Sequence, residues 1–388
     1  MVRHTFLLTL RSDAIFSANG GTVGRPDTLQ RVPGAVLLGA AAGTCYAQLD
    51  ESDALRAFHF GDVRFNDALP LSPEGRRTLP TPLSWHTRKY GALDDGLDLS
   101  FGDRPEDQLK QQRSDWQIDA TEDWVAWQPK TSSHMRTSID DGGRAQKGFL
   151  YGFVAIAEGT QFLFDLEGDD GVLLDKISAA LTSRPLRIGR SRGSEFGQVE
   201  ITRCTEDPAG RPTPMSQTQP NVLRIFCVSD LALVDAVTGG PRLRPTPEDF
   251  GLGPAWKLSS DQSFLRFRRY SPFNGTRRRP DSERQVIAAG SVITFIDGGT
   301  ADTKALQRGL EHGVGAHREV GLGRVIVEPA LLGDKQPRLA KYEPSSIEEV
   351  AAVAPDPDLA KWMRARADEA RSSEAIWSAA EAQARIAC

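Results

Sequence analysis

The chain has 388 residues, of which 39% are hydrophobic and 26% are charged, and its formal net charge is −5. This length exceeds that of one small domain and predicts two globular units with an additional element. No run of about 18 apolar residues occurs and the start lacks a signal-peptide pattern, so we expect a cytoplasmic protein with no membrane partner. The cysteines are scattered and form no Cys-x-x-Cys pair, which argues against a zinc or redox centre, and we expect no cofactor.

Arginine is concentrated in two stretches of the sequence. Residues 184–203 contain five arginines against two glutamates, and residues 266–284 contain seven arginines against one aspartate and one glutamate. The modest total charge therefore hides two local basic segments. Such segregation is typical of a protein that binds nucleic acid through one part of its surface.

The first third of the chain begins with clear elements and then loses its pattern. Alternating apolar residues at 6–10 predict a strand, and the glycine-rich residues 19–26 predict a flexible loop. Small apolar residues at 35–48 predict a closely packed helix, and residues 58–65 predict a short strand. No sustained period exists at 69–148, which we interpret as a long, partly ordered insertion.

Regular patterns return after the insertion. Strands are predicted at 149–156 and 161–166, and the turn between them indicates a hairpin. Residues 169–182 carry apolar side chains at helical spacing, after two aspartates that suit a helix N-terminus. A glycine and arginine turn then leads into a strand at 198–204. The order strand, helix, insertion, strand, strand, helix, strand is the ferredoxin-like βαββαβ arrangement.

The next part of the chain repeats this order. A strand at 222–228, an alternating segment at 264–270, a strand at 290–296 and a helix at 304–312 precede a glycine-containing loop and a final strand at 325–327. In both halves a strand is followed by a helix, a glycine loop and a last strand. The two glycine loops are therefore predicted to be equivalent elements.

We predict an α+β protein built of two tandem ferredoxin-like (RRM-like) domains with glycine-rich loops. The first domain covers residues 1–206 and includes the insertion at about 69–148, and a linker at 207–220 leads to the second domain at 221–330. Residues 331–388 are predicted to form a linker and a C-terminal helix. The helix has a sparse apolar stripe, for which we expect one of two roles: packing against its own domain or docking on a partner.

Two segments are candidate binding sites. Residues 188–201 place arginines among glycines, and this favours anion binding because glycine lets backbone N–H groups approach a phosphate while guanidinium groups surround it. An exposed turn with solvated arginines is the alternative. Residues 264–273 alternate arginine with aromatic residues, as contact with RNA phosphates and bases requires. Here the alternative is the outer face of an ordinary strand.

Other chemistries have weaker support in the sequence. No Gly-x-Gly-x-x-Gly precedes a helix and no P-loop motif occurs, which argues against a nucleotide cofactor. His134 and His317 are candidate general bases for RNA cleavage, with a structural or exposed histidine as the alternative. The acidic pairs of the chain suit turns and helix caps, and no metal site is predicted.

Four landmarks give the chain a resemblance to a known family. They are an apolar-Pro-Gly entry to the first helix at 32–34, the strand and turn at 60–68, the Gly-Arg-Ser-Arg loop and strand at 188–201, and a glycine-rich loop at 321–325. Together they resemble the RAMP superfamily of CRISPR-associated proteins, in particular the Csx-ten type of subunit from type III-D effector complexes. The resemblance covers about residues 6–329.

The resemblance implies a non-catalytic subunit that caps the 5′ handle of the guide RNA (crRNA). Its implied partners are the RAMP backbone subunits and the large subunit of the complex, with target RNA met indirectly. The RNA-binding residues carried over from the two glycine loops are Gly189, Arg190, Ser191, Arg192, Gly197, Gly321, Gly323 and Arg324, and the alternating strand adds Arg266, Arg268 and Arg269.

One feature departs from the family, since the first helix carries apolar or small residues where related proteins often have arginine. RNA contact from that helix is therefore not expected. The alternative function is a metal-independent endoribonuclease that processes the precursor guide RNA, with His134 or His317 as its base.

Overall fold

The computed structural model describes residues 1–17, 27–113, 115–119, 123–139, 145–343, 358, 361–366, 368–369 and 372. Met1–Tyr342 form one compact unit and Glu343–Cys388 a second. Residues 361–366 are helical, whereas most of the predicted C-terminal helix and the predicted loop at 19–26 lie outside the described residues. No described helix combines the length and hydrophobicity needed to cross a bilayer.

The fold is α+β, with many strands and few helices, as predicted in outline. The first elements in chain order are β1 Val2–Leu10, α1 Gly34–Cys45, α2 Glu51–Phe58, β2 Val63–Phe65 and β3 Leu69–Pro70. The strand predicted at 58–65 is wrong in its first part, because Phe58 ends a helix. That helix begins where the side chain of Asp50 accepts the N–H of Asp53, a favourable N-cap.

The insertion contains more regular structure than its sequence indicates. Its strands are β4 Thr78–Pro80, β5 Trp85–Arg88, β6 Gly96–Asp98, β7 Leu109–Gln111, β8 Trp116–Asp119, β9 Trp124–Trp127, β10 Thr131–Ile139 and β11 Ala145–Ile156. One small sheet has the order β6-β5-β7, and β4, β8 and β9 lie in another. Strands β4 to β9 have only three or four residues each, which is too short to show a sustained alternation.

The hairpin predicted from residues 149–156 and 161–166 is wrong. Strand β11 pairs with β10, whereas the next strand, β12 at Gln161–Gly168, pairs with β1, β2 and β3. The turn between β11 and β12 separates two sheets. The reason is burial, since seven of the eight residues of β12 are buried and such a strand belongs in the middle of a sheet.

The first sheet is completed by α3 Gly171–Thr182, β13 Leu186–Arg187 and β14 Gln198–Arg203. Its order is β13-β14-β1-β12-β2, with antiparallel pairing throughout. The predicted helix at 169–182 is confirmed, and Asp170 caps its N-terminus by accepting the N–H groups of Val172 and Leu173. The insertion thus falls between the second and third main strands of this sheet.

The second half contains a sheet of the same order. Its elements are β15 Val222–Cys227, β16 Leu233–Val234, β17 Pro241–Arg242, β18 Lys257–Leu258, β19 Phe267–Tyr270, β20 Phe273–Asn274, β21 Arg279–Pro280, β22 Arg284–Ile287, β23 Val292–Ile296, α4 Thr303–Gly309 and β24 Val325–Val327. The sheet runs β18-β23-β15-β24, while β19 pairs with β22 and β20 with β21 as ribbons outside it. Between β15 and β23, residues that are all described form no α-helix.

After the second sheet the chain returns to the insertion. The last strand, β25 at Leu339–Lys341, pairs in parallel with β9 and extends the sheet to β25-β9-β8-β4. Among the described residues, short 3₁₀ helices connect the larger elements at Tyr46–Gln48, Leu99–Phe101, Pro247–Phe250, Arg318–Val320 and Ala330–Leu332. The division of the chain into domains at 206 and 221 stays a prediction.

A buried charge cluster joins the insertion to the second sheet. The side chain of Arg224 in β15 is fully buried, with Nη1 lying 3.6 Å from Oε2 of Glu328. Its Nε donates to Ser100 of the insertion at 3.1 Å, and its guanidinium lies 3.9 Å from the ring centroid of Phe101. Asp98 is buried beside it, so two carboxyl groups share one cation. Burial, with Asp98 nearby, raises the pKa of Glu328 to about 7.

We predict that this cluster makes the protein less stable as the pH rises from about 5 to 8. The folded state binds the Glu328 proton more tightly than the unfolded chain does, because the pKa is raised from 4.5 to about 7. The stabilisation present at low pH, about 3 kcal/mol at most, is therefore lost as the pH passes the folded pKa. Thermal unfolding midpoints across this range check it for Glu328→Gln, whose profile should be flatter. Asp261→Asn, an exposed change of equal charge, is the control, and a slope unchanged by Glu328→Gln would contradict the assignment.

Candidate nucleic-acid interface

The first glycine loop is held by backbone hydrogen bonds to the segment that follows β1. The N–H of Ile188 donates to the carbonyl of Gly197 at 2.8 Å and closes the loop. The N–H of Arg190 donates to the carbonyl of Ile15 at 2.9 Å, and that of Gly197 to the carbonyl of Asp13 at 2.8 Å. The loop is thus anchored at both ends.

The second glycine loop has the same bonds at corresponding positions. The N–H of Val314 donates to the carbonyl of Gly323 at 2.9 Å. The N–H of Ala316 donates to Ala232 and that of Gly323 to Asp230, each at 2.8 Å. Residues 230–232 follow β15 as residues 13–15 follow β1. The prediction that the two loops are equivalent is confirmed.

The serine that precedes each anchoring aspartate, Asp13 or Asp230, also has the same role in the two loops. The Oγ of Ser12 accepts the N–H of Gln198, and the Oγ of Ser229 accepts the N–H of Arg324, both at 2.9 Å. A Ser-Asp pair shortly after the first strand of each half thus fixes the loop that precedes the last strand. This repeated dipeptide was the sequence signal for the anchor, and the sequence analysis missed it.

Two loop glycines are required by close packing. At Gly197 φ is +77° and a Cβ atom would lie 1.9 Å from the carbonyl oxygen of Ile188. At Gly323 φ is +79° and a Cβ atom would lie 2.0 Å from the carbonyl oxygen of Val314. Both positions exclude any other residue on steric grounds. Their closest partners are backbone atoms of the same loop, so these glycines shape the loop, and a direct RNA contact from them stays a prediction.

The arginines of the first loop point to different surroundings. Arg190 is half-buried, with its guanidinium 5.2 Å from the ring centroid of Phe153, whereas Ser191 and Arg192 are exposed. Neither Arg190 nor Arg192 is paired with a carboxylate in the described part of the chain. Within the described residues, both guanidinium groups are therefore available for an external anion.

The arginine-rich ribbon of the second half lies beside this loop. A Cβ atom built on Gly275, between β20 and β21, would lie 3.7 Å from Nη2 of Arg192. The ribbon also exposes two aromatic rings, since 51% of Phe267 and 69% of Phe273 remain accessible. The two basic segments of the sequence therefore meet on one surface, which we call the loop-ribbon surface (residues 188–197 and 267–284).

The predicted strand arginines differ in how they are engaged. Arg268 donates to Asp230 at 3.0 Å and its guanidinium lies 4.5 Å from the ring centroid of Tyr270. Arg269 is exposed, with Glu283 at 3.9 Å, and the exposed Arg266 donates to Gln111 of the insertion at 3.4 Å. Arg268 is thus part of an internal network, whereas the other two face solvent.

Arg324 makes a strong internal ion pair. Its Nη1 and Nη2 donate to the two carboxylate oxygens of Glu167 at 2.9 and 2.8 Å. Glu167 belongs to β12 of the first sheet and its side chain is fully buried. Gly321, also predicted to bind RNA, packs against the first half, since a Cβ atom there would lie 2.5 Å from the carbonyl oxygen of Phe65. In the structure both residues join the two halves, and their contact with RNA stays a prediction.

The two candidate histidines have acidic neighbours. Nε2 of His134 lies 2.7 Å from Oδ2 of Asp13 and 3.0 Å from Oγ of Ser132, next to the first glycine loop. Burial favours the protonated form of Asp13, but hydrogen bonds from Ser132, the N–H of Glu158 and His134 outweigh it and hold the pKa of Asp13 below its usual value. His317 lies in the second loop with Nδ1 3.5 Å from Oε1 of Glu319.

No protein-family model and no curated protein matches the sequence. Solved structures do resemble the fold. A chain of the Type III-B Cmr-beta complex bound to cognate target RNA and AMPPnP is 10% identical, the match covers 84% of this chain and 99% of that chain, and the TM-score is 0.44. A chain of the Csm3-Csm4 subcomplex of the type III-A CRISPR-Cas interference complex is 11% identical over 77% of this chain and 98% of that chain, with a TM-score of 0.35.

Oligomeric Cmr4 from Pyrococcus furiosus is also similar, at 11% identity over 53% of this chain and 99% of that chain, with a TM-score of 0.27. The structural neighbours are thus Cmr and Csm subunits of type III CRISPR complexes. Each of the three TM-scores is below 0.5. The functional assignment therefore rests on the chain's own residues.

We predict that Gly197→Ala strongly destabilises the first loop. The left-handed backbone alone costs about 1–2 kcal/mol for alanine, and the clash with Ile188 adds to it. The midpoint of thermal unfolding should fall by roughly 2 °C or more. Gly193→Ala in the same loop is the matched control, because a Cβ atom at Gly193 meets nothing within 4 Å. Equal midpoints for the two variants would show that the loop closure is not rigid.

Proposed function

We propose that the chain is a non-catalytic RNA-binding subunit of a type III CRISPR effector ribonucleoprotein and that it holds the 5′ handle of the guide RNA. The observation that carries this proposal is the loop-ribbon surface. It joins Arg190 and Arg192, which pair with no carboxylate among the described residues, to a ribbon with further exposed arginines and two exposed aromatic rings.

Single-stranded RNA needs this combination of side chains. Its phosphates attract guanidinium groups, and its unpaired bases stack on accessible rings such as those of Phe267 and Phe273. The anchored loop adds rigidity, because its backbone bonds hold Arg190 in place before a ligand arrives. A preorganised cation loses less conformational entropy on binding than a free side chain does.

The same proposal assigns each half to a ferredoxin-like (RRM-like) domain. In both sheets the first strand, β1 or β15, lies between the last and the third strand, and the second strand is at the edge. This order with antiparallel neighbours supports the βαββαβ assignment, although the second half lacks the first helix. The resemblance to RAMP subunits of the Csx-ten type supplies the proposed partners, which are the backbone subunits and the large subunit, with target RNA met indirectly.

We predict that Arg190→Ala with Arg192→Ala weakens the binding of single-stranded guide RNA. Loss of two phosphate contacts should also reduce the slope of log K against log salt by about 1.4, because each contact with a single strand contributes about 0.7. Fluorescence anisotropy with labelled RNA at several salt concentrations measures both effects. Lys304→Ala with Arg308→Ala, two exposed positions on α4, is the charge-matched control. An affinity and a slope equal to those of the control would refute the proposal.

A metal-independent endoribonuclease is the second candidate. The supporting observation is the cluster of Asp13, Ser132 and His134 beside the first loop. In a serine-histidine-aspartate relay, however, the two ring nitrogens contact different partners. Here one nitrogen, Nε2 of His134, faces both the carboxylate and the hydroxyl. The geometry favours a structural hydrogen-bond cluster that supports Asp13, and we therefore place this candidate second.

We predict that the purified chain does not cut repeat RNA in the presence of EDTA. Denaturing gels of 5′-labelled repeat RNA measure this, with His134→Ala and His317→Ala tested in parallel. A discrete cut that either substitution abolishes would support the nuclease and contradict the non-catalytic assignment. Cleavage that both variants retain would indicate a contaminating activity.

A further inference from the structure

A second group of cations lies where the insertion meets the second half. Arg266 donates to Gln111 in β7, and Gln111 pairs across the strands with His86 in β5. The ring of His86 in turn contacts Phe264, with 5.7 Å between the centroids. Arg104 and Arg113 are close enough to this ring to act on its charge. We call this group the insertion cluster (His86, Arg104, Arg113 and Arg266).

The cations of the insertion cluster have no carboxylate partner in the part of the chain that the structure describes. Arg104, Arg113 and Arg266 are exposed, and none of them pairs with a carboxylate in the described residues of the chain. Three acidic groups of the same segment pair with other cations, since Asp95 and Asp107 pair with Arg88, and Asp103 pairs with Lys335. Arg113 also lowers the pKa of Arg266, after the larger effect of burial. The cations therefore repel one another in the free protein.

His86 is held in one tautomer within this group. Its Nδ1 donates to the carbonyl of Ser84 at 2.8 Å, so Nδ1 carries the hydrogen and Nε2 has no partner among the described residues. Burial first, and then the charges of Arg104 and Arg113, lower the pKa of His86, while the bond to Ser84 opposes them. Arg104 and Arg113 are the charged groups that act on the ring, and both are cations. An anion placed here relieves the repulsion and favours a proton on Nε2.

We propose that the insertion cluster is a second phosphate-binding site for single-stranded RNA, which adjoins the start of the ribbon through Arg266. The inference rests on the proposed function, which supplies the RNA. Phe264, two residues before Arg266, places an aromatic edge at the site, which favours a nucleic-acid strand over an acidic protein surface. The insertion thereby serves as an RNA-binding element of the first half, and Arg266 of the second half contributes one cation to the same site.

The test uses the full-length chain and labelled single-stranded RNA in fluorescence anisotropy. Arg104→Gln with Arg113→Gln should weaken binding and reduce the salt slope by about 1.4. Arg266 is left unchanged, so that any loss of affinity comes from the two arginines of the insertion. Lys304→Gln with Arg308→Gln removes the same charge from exposed positions on α4 and serves as control. An affinity and slope equal to those of the control would overturn the proposal.

A pH series separates a built site from general attraction between opposite charges. Because the bound phosphate favours protonated His86, the wild-type dissociation constant should rise from pH 6 to pH 8, by up to about tenfold per unit. His86→Gln should remove this dependence. A dependence retained in His86→Gln would show that another group takes up the proton, and would overturn the role of His86.

The experiment distinguishes the two proposals from each other. If Arg190→Ala with Arg192→Ala lowers affinity while Arg104→Gln with Arg113→Gln matches its control, the proposed function stands and the insertion cluster does not bind RNA. If the wild-type chain binds no RNA, both proposals fail. Losses in both double variants support both sites.

Discussion

The carboxylate of Glu167 fixes how the two sheets sit against each other. It is fully buried in β12, and a buried charge is tolerated only when oppositely charged groups surround it. Arg3 of the neighbouring strand supplies one partner at 2.7 Å, and Arg324 supplies a bidentate pair from the end of the second glycine loop. One acidic group in the first half thereby holds a loop of the second.

A second network makes the same connection on the other side of that loop. Oδ2 of Asp230 accepts hydrogen bonds from Arg31 of the first half at 2.8 Å and from Arg268 of the second half at 3.0 Å. Arg31 also forms an ion pair with Asp67. Because Asp230 anchors the second glycine loop through its carbonyl group, loop and junction are built from the same residues. Arg192 of the first half lies beside Gly275 of the second, so the loop-ribbon surface also spans this junction.

Much of the fold could be predicted from the sequence where the segments are long and periodic. Strand β1 and helix α3 follow from their apolar spacing, helix α1 follows from its run of small apolar residues, and the loop equivalence follows from the internal repeat. The hairpin was wrong because the partner of β11 is β10, a polar strand within the insertion, and pairing partners are a tertiary property. For the candidate site, the sequence located the arginines but not their partners. Glu167 lies far from Arg324 in the chain, so no local pattern reveals that this guanidinium is engaged.

The parallel pairing of β25 with β9 has a consequence for how the protein is made. The insertion emerges early from the ribosome, yet one edge of its sheet is covered only when Leu339–Lys341 have been synthesised. Until then β9 presents unpaired backbone groups, and a strand edge of this kind invites association with other chains. Closing such a long loop is also slow, because the chain loses conformational entropy before the contact between distant segments stabilises it. The nascent chain therefore carries an open edge through most of its translation, and the last strand of the compact unit acts as the closing step of its assembly.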